Sequence, residues 1–389
     1  MVYAGSHAGS FEQASVDLKE EAELNISAQR IMRATKRIGQ ERVAEREAAV
    51  ARWEELSLPE QQGSPREQVP QVACVEMDGG RIQIRDRKEV EAPGEERGKG
   101  RFWRETKVGC LLSMASEPSP SDPCPVIPGI FVDPRRMGQI SREIKGFSAV
   151  GEVAASEQSA TEKRRDRPEV LVRSVVATRE NVEAFGKQLA TAAWRRGFMA
   201  AERKAFVGDG SETNWSVWRR HFSHFTPIVD FIHALCYVFA GAMAGRAMSE
   251  AWPIYCQWAQ WLWNGQAELV IEALRIRQQA LGLPEKDESE ESARSKVADA
   301  LRYLENQKSR MHYDQYRRVG LPITSSHIES TIKQINRRVK GSEKFWSEGG
   351  AEALLQLAAD YLSETTPLAT YWRERPNQAT GQRHYQTAG

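Results

Sequence analysis

Three acids stand in three different local contexts: Asp78 in VEMDGGRIQIRD, Asp209 in AFVGDGSETNW and Glu329 in LPITSSHIEST. The first two each close a short apolar run and precede glycine, whereas the third opens a basic helix. Carboxylates at strand ends and at a helix start can converge although far apart in the chain, and α/β sheets carry ligands at strand ends. Converging acidic oxygens are what Mg²⁺ requires. Two such ions can drive an in-line phosphoryl displacement.

Each acid also has a local explanation. Asp-Gly is a favoured turn pair, so QVACVEMD, two glycines and RIQIRDR predict a β-hairpin with Asp78 at its turn. Asp209 in Gly-Asp-Gly suits a turn in the same way. Ser326-His327-Ile328-Glu329 fits a capping box, in which the glutamate bonds back to the cap residue. Each of these accounts for its own position and none for the arrangement. Behind Glu329, residues Lys333, Arg337, Lys340 and Lys344 follow at steps of four, four, three and four, which predicts one shared helix face. Together with Arg338 they are candidates for holding DNA phosphates. Asp230 and His233 form an Asp-x-x-His pair at a strand-to-helix junction, a candidate for orienting DNA or for packing.

The elements that must position these residues follow from periodicity. Residues 1–56 read as a helical N-terminal segment, with Ser27 an incomplete cap for its second long helix. Residues 57–70 form a polar, proline-marked linker. A core covers 71–230, with strands at 71–87 and 104–114, a helix at 181–197, a buried strand in RKAFVGDG and another in FTPIVDFIHA. Within it, 115–168 is rich in Ser, Pro, Glu and Gly and reads as an irregular insertion. Residues 231–311 form an all-helical block, too long for a plain crossover between the second Asp and the Glu. Core helices at 312–364 carry the third acid, and 365–389 reads as a loose tail. The order is that of a mixed α/β core with a helical N-terminal segment and a helical insertion.

The 389 residues carry a formal net charge of only +1, so basic character is local, at KRRDR (163–167) and KQINRRVKGSEK (333–344). Mean hydropathy is −0.57, and the absence of a long uncharged apolar run argues against a membrane span. Five cysteines, odd in number and without a CxxC pair, point to a reducing cytoplasm. Zinc is a rival reading, with His221-x-x-His224 and His233-x-x-Cys236 as ligands, although no zinc-finger spacing surrounds them. Tryptophans 215, 218, 252, 258, 261 and 263 could stack on bases. The helical spacing of Trp252, Tyr255, Trp258 and Leu262 favours packing instead.

The stretch FVGDGSETNWSVWRRHFSHFTPIVDFIHALCYVFAGA resembles bacterial insertion-sequence transposases of the DDE type, as does YRRVGLPITSSHIESTIKQINRRVKGSEKFWSEGGAEALLQLAADYLS. VEMDGGRIQIRD is similar to that family's first-acid segment, and Asp230-x-x-His233 resembles a motif of Mutator-like transposases. The chain departs from the family pattern at Ser325, Ser326 and His327, where more glycine is usual. The resemblance implies a ribonuclease H-like fold with an all-α insertion. It also implies Mg²⁺-dependent cleavage and strand transfer of DNA ends, with Mn²⁺ able to substitute. On that basis Asp78, Asp209 and Glu329 are the catalytic metal ligands, and the protein acts on terminal repeats as a dimer or larger assembly at the nucleoid. The alternatives are an inactive transposase-derived DNA-binding protein and a ribonuclease H-like nuclease that cuts without joining.

Overall fold

The computed structural model of the chain describes residues 1–85, 102–145, 167–341 and 344–378. Helices α1 (Val2–His7), α2 (Phe11–Ala22), α3 (Ala28–Glu54) and α4 (Leu58–Gln62) precede strands β1 (Val72–Ile84) and β2 (Trp103–Ala115). There follow α5 (Pro134–Lys145), β3 (Glu169–Thr178), α6 (Val182–Arg195), β4 (Arg203–Gly208), α7 (Glu212–His221) and β5 (Thr226–Val229). The helical block comprises α8 (Phe231–Met243), α9 (Met248–Trp263), α10 (Ala267–Leu281), α11 (Ala293–Gln307) and α12 (Tyr313–Arg318). Last come α13 (Ser326–Val339), β6 (Phe345–Trp346), α14 (Glu348–Leu362) and α15 (Pro367–Gln378).

The strands form one mixed, open, six-stranded sheet in the order β3-β2-β1-β4-β5, with β6 against the far end of β1. Pairing is antiparallel from β3 through β2 to β1 and parallel from β1 through β4 to β5. Val72 to Val75, Ala205 to Val207, and Ile228 with Val229 are fully buried. Strands covered on both faces need such continuous apolar runs.

Side-chain alternation assigns the two faces. A Cβ on Gly109 of β2 would come within 2.6 Å of Leu189, so this side of the sheet lies under α6. The next residue, Cys110, points the other way and donates to Thr331 Oγ1 of α13 at 3.3 Å. Cys110 is the register partner of Glu76. Glu76 and Asp78, two residues apart on β1, therefore both look toward α13.

The expected hairpin at Asp78 does not occur. β1 runs unbroken through Asp78, Gly79 and Gly80, each paired with β2. Neither glycine has the positive φ that a tight two-residue hairpin turn demands. Gly80 serves close packing instead: a Cβ there would stand 2.9 Å from Thr106 Oγ1 and 3.9 Å from Asn336 Oδ1 of α13.

The segment after β2 is more structured than its composition predicts. It contains α5, and its earlier part is a strap hydrogen-bonded across α9. Trp263 Nε1 donates to Cys124 O at 2.6 Å, Gln260 Nε2 to Pro125 O at 2.9 Å, and Tyr255 OH to Phe131 O at 2.7 Å. Asp122 pairs with the buried Arg317 of α12. Trp215, Trp258 and Trp263 are buried, so the packing reading holds for them. Residues 146–166, which include most of the basic run 163–167, lie outside the described residues. The loose tail expected from 365 onward begins with α15, whose buried Tyr371 bonds Glu41 of α3. Residues 379–389 are outside the description.

The N-terminal helices are packed into this core. Gly39 lets α3 approach α14 so closely that a Cβ would meet Ala353 O at 2.5 Å. Arg42 then reaches Asp360 at 2.9 Å, and Arg46 reaches Glu352 at 2.9 Å. The outer edge of β3 is covered by the turn after α14, where Ser363 Oγ and Glu364 Oε2 accept from the amides of Val175 and Arg173. Covering an edge in this way blocks its pairing with another chain. No described helix is long and apolar enough to cross a membrane.

Candidate functional site

The pairing of β1 with β4 ends at Glu76 opposite Val207. Asp78 and Asp209 each lie two residues beyond that last pair, at the same end of neighbouring strands. Asn214 of α7 spans the gap, donating from Nδ2 to Asp209 Oδ1 at 2.9 Å and to Met77 O at 3.2 Å. Asp209 Oδ1 also accepts from the Ser211 amide at 2.8 Å, at the start of a helix capped by Ser211 itself. Asp78 is half-buried, and its Oδ1 accepts from the Gly79 amide at 2.6 Å.

The helical block holds the second acid from behind. Tyr303 of α11 donates to Asp209 O at 2.7 Å, and Gln307 donates to Gly210 O at 2.9 Å. Gly210 has φ +96°, and a Cβ there would stand 2.8 Å from the Tyr303 ring. Gly210→Ala is expected to cost roughly 1–3 kcal/mol, from a left-handed backbone combined with that clash. A fall in the chemical-denaturation midpoint, larger than that of Tyr303→Phe, checks this.

Glu329 lies in the fourth position of α13, and the capping box read from the sequence is not formed. Ser325 is the cap residue and makes no side-chain cap bond; its hydroxyl donates to Asp230 at 2.7 Å. The amide of Ile328 is taken by Glu76 Oε2 at 2.8 Å. Burial pushes the Glu329 carboxyl above its ordinary range, and the Asp230 and Asp78 carboxylates push it further, with His233 and Lys333 opposing. Glu329 thus carries a repulsion from Asp230 and Asp78 that a bound cation would relieve.

Asp230 has no surface to offer DNA. It is fully buried at the start of α8, where it accepts from the His233 amide at 2.8 Å, from His233 Nδ1 at 3.2 Å and from both the amide and hydroxyl of Ser325. Burial opposes its charge, but the bonds from His233 and Ser325 prevail and hold its carboxyl below the usual range. The DNA-orienting role read for Asp230 gives way to an internal one, joining the start of α8 to the start of α13. His233 keeps a small exposed surface.

The basic stripe is only partly realised. Lys333, Arg337 and Lys340 are exposed, and Lys333 stands 3.5 Å from Glu143 of α5. α13 ends at Val339, so Lys344 lies beyond the helix and donates to the carbonyls of Arg337 and Arg338 at 3.0 and 3.2 Å. Arg338 is buried, donates to Gly5 O at 3.0 Å and lies over the rings of Phe11 and Trp346. It ties down the N-terminal helices and is not available to a phosphate.

The four rival zinc ligands are not gathered. His221 is tucked against Gly186 of α6 and near Trp53 of α3, whereas His233 is bonded to Asp230. Burial, reinforced by Arg220 and Lys187, lowers His221 from 6.5 to about 4. The unfolded chain therefore binds the extra proton between these values. Stability should fall by roughly 2–3 kcal/mol as pH drops from 6.5 toward 4. Denaturation midpoints across that range, flattened by His221→Phe, provide the check.

Among the described residues no three His, Cys, Asp or Glu groups stand together as a ready-made metal site. Mg²⁺ is commonly held by one or two carboxylates together with substrate phosphate oxygens. The all-oxygen donors and the mutual repulsion at Glu329 suit that mode. Sequence reasoning missed Asn214, which carries no charge to attract notice, and Glu76. The signal for Glu76 was present: an acid two residues before Asp78, inside an apolar run, belongs on the same face of the strand. No family model matches the chain, and no curated protein matches it.

Proposed function

We propose that the chain is a DDE-type transposase with a ribonuclease H-like core, which cuts DNA ends and joins them to a target in the presence of Mg²⁺ or Mn²⁺. The observation that carries this reading is the register of β1 and β4. It brings Asp78 and Asp209 to the same end of neighbouring strands, where Asn214 bonds both Asp209 and the carbonyl of Met77, while the charge of Asp78 acts on Glu329 of α13. The three antiparallel strands followed by two parallel ones are compatible with a ribonuclease H-like core.

On this reading Asp78, Asp209 and Glu329 hold the ions, which when bound polarise the scissile phosphate. Asn214 fixes the orientation of Asp209 against β1. Lys333, Arg337 and Lys340 grip the DNA backbone, whose charge repays each cation and makes binding salt-dependent. The protein acts in the cytoplasm as a dimer or larger assembly on paired ends.

The test incubates the protein with duplex DNA bordering its own coding segment, with Mg²⁺ or Mn²⁺, beside Asp78→Asn, Asp209→Asn and Glu329→Gln. Cleaved and joined products from the unmodified protein, absent from all three variants, support the proposal. Cleavage without joining would assign a nuclease. Binding without cleavage would assign a DNA-binding protein that has lost activity.

A further inference from the structure

We infer that Glu76 is a positioning residue that sets where Glu329 stands relative to Asp78. Its catalytic consequence rests on the transposase reading, but the link itself does not. Glu76 is fully buried in β1, on the face that looks toward α13, two residues from Asp78. Its Oε2 accepts from the amide of Ile328, the residue immediately before Glu329. The first acid and the third are thereby connected through one hydrogen bond and a few backbone units. This is a far shorter path than the 250 residues of chain between them.

The start of α13 needs such fixing. The first amides of a helix lack the usual partners four residues back; that of Ile328 has only a 3.2 Å bond to Ser325 O besides Glu76, and the cap hydroxyl of Ser325 is turned to Asp230. Two buried carboxylates from different parts of the sheet therefore hold this turn: Asp230 at the end of β5 and Glu76 within β1. Asp230 fixes the turn to the helical block. Glu76 alone of the two fixes it to the strand bearing Asp78. Deeper in the helix, the Cys110–Thr331 contact holds α13 to β2 but does not reach its first turn.

Glu76 is also a costly residue in that place. Its Oε1 has no hydrogen-bond partner, and Glu76 is one of the residues lining a small cavity of about 60 Å³ together with Met114, Phe131, Ile323, Ser326 and His327. A buried carboxyl with one partner is less stable than an apolar side chain of similar volume. Methionine would continue the run Val72 to Met77 without that penalty. An acceptor is retained where only the Ile328 amide uses it.

The experiment compares Glu76→Gln, which keeps an acceptor oxygen, with Glu76→Met, which does not. In the full chain, hydrogen exchange at Ile328 and the first turn of α13 is read beside kcat and KM for DNA cleavage. Glu76→Gln should keep both exchange and kcat within about threefold. Glu76→Met should keep or raise the unfolding midpoint, speed exchange at Ile328 by about tenfold, and lower kcat by about thirtyfold or more with KM unchanged. Unchanged exchange and kcat in Glu76→Met would overturn the inference, and so would equal losses in both variants that follow the unfolding midpoint. Should the unmodified protein cleave no DNA, the transposase reading falls. The exchange comparison would then still decide whether Glu76 fixes the helix.

Discussion

Glu329→Gln is expected to lower metal-dependent DNA cleavage by about a thousandfold or more, with the fold intact. The substitution removes a charge and little else. The capping role that would otherwise explain a stability loss is already taken, since Ile328 is bonded to Glu76 and Ser325 to Asp230. Burial and the neighbouring carboxylates disfavour the Glu329 anion, so a neutral amide relieves repulsion rather than adding it. The unfolding midpoint should therefore stay level or rise while cleavage disappears. Asp209→Asn should behave differently. Its carboxylate accepts from Ser211 and Asn214, so both activity and the midpoint should fall. Single-turnover cleavage measured beside thermal unfolding separates the two. Cleavage that survives Glu329→Gln would remove this residue from the chemistry.

The largest effect on stability is expected at Asp122. Arg317 has a side chain only 1% exposed and is held by a two-pronged pair with Asp122, by Trp263 O at 2.9 Å and by the face of the Trp263 ring at 3.9 Å. Asp122→Ala leaves that guanidinium buried without its counter-charge, a change that costs about 3–5 kcal/mol. Against a typical total of ~5–15 kcal/mol this is a large fraction. The loss should appear as a lower denaturant midpoint, and exposure of the strap to protease should increase with it. The double change Asp122→Leu with Arg317→Met should recover most of the loss, because it removes both charges together. Equal loss in the single and double variants would assign the effect to strap packing instead of the ion pair.

The strands that carry the acids were legible because buried parallel strands leave continuous apolar runs, as in RKAFVGDG and FTPIVDFIHA. The helices with regular spacing, α6, α11, α13 and α14, were legible for a similar reason. The hairpin at Asp78 was misread because Asp-Gly-Gly is the composition of a tight turn, and composition does not reveal that α13 crosses close above. β3, in EVLVRSVVAT, went unassigned beside a stretch whose polar composition dominates. Its edge is covered by residues almost two hundred positions later, which no local pattern announces. The stripe from Lys333 to Lys344 extrapolated helical spacing past Val339, where the chain leaves the helix. Arg338 shows the limit most clearly. An arginine in a basic run looks like a phosphate ligand until aromatic rings from two other elements enclose it. Asp230 is the same lesson with opposite charge, since burial turns it from a candidate reactive group into a fastener.

β1 changes its neighbour along its length. It pairs with β4 as far as Glu76 and with β6 from Gln83 onward. Among the described residues, Met77 to Ile82 has no strand on that side, although β2 runs along the other. This is an edge opened in the middle of a sheet, a seam closed at both ends by β4 and β6. An ordinary edge invites any extended chain to add itself. A seam a few residues long is too short for another strand to pair, and a side chain enters it instead: Asn214 Nδ2 donates to Met77 O beside Asp78. The architecture thus leaves a short unpaired stretch of β1 at the first acid, bounded at both ends by paired strand.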